Sequence, residues 1–154
     1  MNSEPTAETE HPQGDRAHWR EVLRQHGLRY SRARALILQS FQRPDNGHLS
    51  AEELHSMLAA AGEDISLSTV YLNLAVLRDA GLLTEFRGTN GKAVFDANAE
   101  PHYHVICTET GEIHDLPQID VDGVPLGAYL RSEIKRRTGW DVEEPVISLK
   151  GRRR

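Results

Sequence analysis

The sequence predicts an α+β chain in which several helices and a β-hairpin come first and a strand-and-helix unit follows. Three observations carry that prediction. Apolar residues recur at helical spacing in stretches that open after serine and close at glycine. Two short strand-like runs, LLTEF and KAVFDA, flank an Arg-Gly-Thr-Asn-Gly turn. Further on, a His-x-His strand precedes a second helical stripe.

In chain order, Trp19, Val22, Leu23 and His26 share one face of a first helix that Gly27 stops. Ser31 is placed to cap a second helix running through Leu36, Ile37 and Leu38 towards Phe41, and Pro44-Asp45-Asn46-Gly47 is a turn. Ser50, with Glu53 three residues on, gives the reciprocal capping pattern for a third helix whose Leu54, Met57 and Leu58 face inward, and Gly62 ends it. Ser66 or Ser68 caps the next helix, with Val70, Leu74 and Leu77 as its buried stripe and Gly81 as its stop. Helices followed by a hairpin are the order of a winged helix-turn-helix. In that arrangement Ser68, Thr69 and Tyr71 lie nearest the major groove of DNA.

Composition limits the alternatives. An apolar share of 38% with 27% charged residues is that of a globular chain, and no apolar run approaches the ~20 residues that cross a bilayer. The first 15 residues hold four acids and no Lys or Arg; they are expected to be a disordered acidic tail rather than a signal peptide, which makes the cytoplasm the expected compartment. The net charge of −5 conceals an uneven distribution, since residues 16–43 hold seven arginines against the single acid Glu21. Such a run can face phosphates, and Arg29 and Arg34 are expected to do so. The one cysteine, Cys107, rules out an intrachain disulfide and a four-cysteine zinc site.

Taken together, GLRYSRARALIL, HLSAEELHSML, STVYLNLAVLRDAGLL, GKAVFD and HYHVICTETGEIHDL match, in order and spacing, the ferric uptake regulator family of metal-dependent bacterial repressors. The resemblance spans roughly residues 16–150. It implies a winged-helix DNA-binding domain over 16–97, a hinge over 98–101 and a small α/β dimerisation and metal-sensing domain over 102–154. It implies a homodimer on a double-stranded DNA operator, with no membrane partner, and adds Asn73 to the expected DNA contacts.

Carried over residue by residue, the family's sensing site falls on His48, Asp96, His102, His104 and Asp115, a ligand set resembling that of the peroxide-sensing branch. His102 and His104, alternating on a strand, put two imidazoles about 7 Å apart on one face. His114 could replace Asp115 after a slip of one residue. A mixed N/O set without thiolate suits Mn²⁺ or Fe²⁺, with Zn²⁺ able to enter in vitro. Metal bound by groups from both domains would favour one interdomain angle and so couple metal to operator. Iron there would also expose the ligand histidines to peroxide.

The chain departs from the family in three places. Thr110 stands where a second cysteine would complete a Cys-x-x-Cys pair, so Cys107 is expected to be buried and apolar, on the strand face away from the histidines. Pro101 and Tyr103 occupy ligand positions of a second cluster found in some members. Leu72 replaces an arginine that contacts phosphate. An enzyme reading starts from His102, His104 and Glu109, the spacing of a cupin metal motif; that motif expects glycine where Asp96 stands and a second histidine-bearing motif that is missing. A winged helix serving only protein contacts is the third reading. Leu126, Tyr129, Leu130 and Ile134 are expected to form the core stripe of the C-terminal helix.

Overall fold

A computed structural model describes residues 12–43, 47–88, 90–98, 102–143 and 145–154. The turn expected at Pro44-Asp45-Asn46, the acidic tail over 1–11 and hinge residues 99–101 lie outside the described residues.

Helix α1 (Pro12–Gln25) begins inside the segment expected to be a disordered tail, so Pro12 to Asp15 are helical; the acid in its first turn, Asp15, suits the positive end of the helix dipole. Helix α2 (Arg32–Phe41) is capped by Ser31, whose hydroxyl accepts from the Arg34 N–H. Strand β1 (His48–Leu49) leads into α3 (Ala51–Ala60), where Ser50 and Glu53 cap each other: the Glu53 N–H reaches the serine oxygen and the glutamate accepts from the Ser50 N–H at 2.8 Å. Helix α4 (Leu67–Asp79) is capped by Ser66, not Ser68, through the Thr69 N–H. Gly62 and Gly81 follow α3 and α4 with φ of 81° and 79°, a conformation that costs glycine nothing.

Strands β2 (Thr84–Arg87) and β3 (Ala93–Asp96) form the expected hairpin, and β1 adds to β3 to complete a three-stranded antiparallel sheet in the order β1-β3-β2. The core of this half is continuous. Trp19, Leu23, Ile37, Leu38, Leu54, Leu58, Val70, Leu74 and Leu77 meet Leu83 and Phe95 of the hairpin. Replacing Ser50 by alanine is expected to cost about 1 kcal/mol and lower the melting temperature by about 2–4 °C, measured by thermal unfolding followed by circular dichroism.

The C-terminal half holds β4 (Tyr103–Cys107), β5 (Ile113–Leu116), the short pair β6 (Asp120–Val121) and β7 (Val124–Pro125), α5 (Leu126–Thr138) and β8 (Ser148–Gly151). β4 is the central strand of its sheet, antiparallel to β5 and parallel to β8. Tyr103 is buried, and its hydroxyl accepts from the Gly127 N–H, tying β4 to the start of α5.

The stripe on α5 departs from expectation. Leu126, Leu130 and Ile134 are half-buried, Tyr129 is exposed, and α5 has no fully buried residue. Ile119, Val124, Trp140, Val146 and Leu149 are exposed as well. A single chain has too few apolar layers here to cover the helix, so the stripe is a surface of the protomer and not its core.

Candidate metal centre and DNA-facing helix

Strand register assembles the site. His48 on β1 lies opposite Asp96 on β3, and His104 on β4 lies opposite Asp115 on β5. Directly paired residues share a sheet face, so each pairing sets one imidazole beside one carboxylate. His114 pairs instead with Val105, on the other face, so the register puts Asp115 and not His114 beside His104. His102, just before β4, brings the third imidazole.

All three rings present Nε2 to the same two oxygens. Asp96 Oδ2 is 3.4 Å from His48, 2.7 Å from His102 and 3.2 Å from His104. Asp115 Oδ1 is 2.7, 3.5 and 3.6 Å from the same three nitrogens. One ligand atom from each of the five residues lies within 4.8 Å of every other. Donors about 2.1 Å from a common cation are roughly 3.0 Å apart at neighbouring corners of an octahedron, so these spacings fit a coordination shell.

One atom makes the fit more specific. His48 Nε2 is buried and forms no hydrogen bond, although Asp115 Oδ1 is 2.7 Å away. A buried polar atom left so calls for a partner, and a cation among the five donors would be one.

Charge agrees. Asp96 is 2% exposed. Burial pushes its carboxyl up, but the neighbouring imidazoles of His104, His48 and His102 and the Asn98 N–H outweigh burial and hold it well below the usual range. The Asn98 N–H occupies Asp96 Oδ1 at 2.8 Å, which leaves Oδ2 to the imidazoles. Burial depresses His48, but the carboxylates of Asp96 and Asp115 outweigh it and the net shift is upward. Asp115 is the solvent-side member at 44% side-chain exposure, while His104 is buried.

A neighbour that sequence reasoning missed is Phe86. Its buried ring, carried by β2, stacks on His104 with centroids 4.2 Å apart and planes 15° apart, and meets His48 edge-on at 5.8 Å. Nothing in the local sequence signals this, since the contact depends on how the hairpin lies across β4.

The sequence model of the ferric uptake regulator family matches residues 25–143. The chain belongs to the ferric uptake regulator family. It is similar to the ferric uptake regulation protein of Shigella flexneri, with 41% identity over 102 residues, 66% of this chain and 69% of that protein. The ferric uptake regulator of Vibrio cholerae superposes with a TM-score of 0.69 at 31% identity, covering 87% of this chain and 98% of that one. That of Pseudomonas aeruginosa, solved with manganese, gives 0.67 at 32% identity, covering 88% and 97%. As a member of this family the chain is a DNA-binding, metal-responsive transcriptional regulator, and the cupin-like enzyme reading falls.

In this regulator the expected DNA contacts divide. Ser68, Tyr71 and Leu72 lie on the outward face of α4, and Arg29 is exposed just before α2. The Tyr71 hydroxyl donates to Glu52 of α3 at 2.8 Å. Asn73 is 8% exposed; its amide donates to the Thr69 carbonyl at 2.9 Å and accepts from Arg34 Nε at 3.2 Å, so it braces α4 against α2 from within the protein. The Thr69 hydroxyl is joined to Ser66 at 2.9 Å. Arg34 is also held by the Arg29 carbonyl at 2.9 Å, which fixes its guanidinium between α2 and α4.

The basic run divides too. Arg24 pairs with Glu21 and Arg32 with Glu63, whereas Arg16 and Arg20 lie over the face of Tyr30 at 5.3 and 5.7 Å. Stacking leaves the charge of those two uncancelled.

Cys107 differs from expectation. It is half-buried, because it ends β4 at a turn, where its backbone bonds to Glu112 and Gly111. Contacts from the Thr110 side chain, then the Thr110 and Glu109 backbone, lower its thiol pKa. Thr110 thus keeps a polar contact where a second cysteine would sit.

Proposed function

We propose that this regulator is a homodimer whose operator affinity is switched by Mn²⁺ or Fe²⁺ bound to His48, Asp96, His102, His104 and Asp115, and that it mostly represses metal-homeostasis genes in the cytoplasm. One observation carries the reading. Two of the five converging groups, His48 and Asp96, come from the sheet of the DNA-binding half, and three come from β4, β5 and the residue leading into β4. A bound cation would supply positive charge shared by both halves.

Without that charge, the buried Asp96 carboxylate and the solvent-side Asp115 carboxylate repel each other and loosen the joint. With it, the five side chains favour one arrangement of β1-β3 against β4-β5, and through α3 and the hairpin one placement of α4. By linkage, DNA then raises metal affinity by the same factor as metal raises DNA affinity. The ligand set contains no sulfur, so availability as well as affinity selects among Mn²⁺, Fe²⁺ and Zn²⁺. The uncovered α5 stripe, with Trp140 73% exposed, supports a second copy covering this face. Among the described residues no helix is long and apolar enough to cross a membrane.

The test is fluorescence anisotropy of the chelated protein on duplex DNA from metal-transport promoters, titrated anaerobically with each metal at fixed salt. One metal is expected to raise affinity about 5–150-fold. A response to none of them would leave the winged helix to protein contacts. If Fe²⁺ is the effector, His48 and His102 are placed to gain oxygen from peroxide, and a peptide mass spectrum showing neither modified would remove that branch.

A further inference from the structure

We propose that Leu72 is a base-reading residue, and that what it reads is the C5-methyl group of a thymine in the major groove. The inference rests on the DNA-binding reading and deepens it. The buried stripe of α4 is Val70, Leu74 and Leu77, each fully buried. Leu72 lies two residues from both Val70 and Leu74, about 200° around the helix from each, and so points directly away from the core. It is 66% exposed, more than any other large apolar side chain among the described residues of the winged-helix half.

Its neighbours on that face say what the surface meets. Ser68 lies one turn before it, and Tyr71, 46% exposed, is beside it with its hydroxyl held by Glu52. The Glu52 bond fixes the Tyr71 ring, so the two residues together present an apolar step at the middle of a polar face. Leucine has no hydrogen-bonding atom and no charge. It can neither pair with phosphate nor tell a guanine, adenine or cytosine edge by donors and acceptors. Of the base edges in the major groove, only thymine offers an apolar group. A lone exposed leucine elsewhere on a protein needs no explanation, but this one stands on the helix that enters the groove.

The experiment uses the full chain loaded with Mn²⁺. A site is first selected from a random duplex library, then resynthesised with deoxyuridine in place of each thymine in turn, which removes one methyl group and nothing else. Anisotropy at fixed salt compares wild type, Leu72→Ala and Leu72→Arg. One thymine per half-site is expected to lose about fourfold in affinity as uracil with the wild type, the worth of one methyl-sized group removed from water. In Leu72→Ala that difference vanishes at that position and persists at any others. Leu72→Arg is expected to lose it too, while the salt dependence steepens by about one counterion.

Thymine-to-uracil differences identical in wild type and Leu72→Ala, or no sensitive position in the wild type, would overturn the assignment while leaving the regulator reading intact. Failure of the Mn²⁺-loaded wild type to select any duplex, while Fe²⁺ and Zn²⁺ also fail, would overturn the DNA-binding reading itself. Leu72 is exposed, so both variants keep the core that folds the domain.

Discussion

Replacing His102 by alanine is expected to abolish the metal response of operator binding, taking a coupling of about 5–150-fold to none, while the dimer survives. His102 Nε2 is the nitrogen nearest Asp96 Oδ2, at 2.7 Å, and it lies 3.5 Å from Asp115 Oδ1, so it bridges a carboxylate from each half. It is also the group closest in sequence to the segment joining them. Its loss leaves His104 alone to represent the imidazoles of the C-terminal half against His48 on the other side, and the remaining donors no longer bind a cation as tightly to both. The apolar face of α5 is untouched. Anisotropy with and without Mn²⁺, beside sedimentation equilibrium of the same protein, separates the two effects. A full metal response in the variant would place the switch elsewhere; loss of the dimer would make the substitution structural.

That prediction depends on a site only partly legible in the sequence. The helix boundaries could be read because their signals are local: Ser31, Ser50 with Glu53, Gly62 and Gly81 each act within one turn of themselves. The hairpin was legible for the same reason. The two-residue strand β1 was not, since it exists only because β3 is there to pair with it, and it is this pairing that sets His48 opposite Asp96. Asp115 over His114 is likewise a matter of register, a property of two strands and not of one.

Two other features have a common cause. Asn73 is a polar residue on the helix expected to face DNA, and Leu126, Tyr129, Leu130 and Ile134 have the period of a core stripe, yet the surroundings of each are set by what packs against it. The Arg34 guanidinium and the Thr69 carbonyl take up Asn73 from inside the domain, and among the described residues α5 is covered only in part. Side-chain type and period fix which face a residue shares. They do not fix whether that face is turned to the core, to DNA or to a second copy.

Phe86→Leu is expected to weaken metal binding by about 10–100-fold with the fold retained, the usual consequence of removing a group that orients metal ligands. The ring is buried, parallel to His104 at 4.2 Å and edge-on to His48, so it restricts rotation of two imidazoles that come from different halves. Leucine fills much of the volume but offers no flat face, and both rings gain freedom that binding must then remove. Phe86→Ala would add a cavity and about 3–5 kcal/mol of destabilisation, which is why leucine is the informative change. Titration of the chelated protein with Mn²⁺ reads the affinity, and operator binding at saturating Mn²⁺ reads the switch. If Phe86 positions the imidazoles, Kd for metal rises while saturated DNA affinity stays near that of the wild type. An unchanged metal Kd would mean that the backbone of β1 and β4 alone sets the rings, and that the hairpin senses the site only through Asp96.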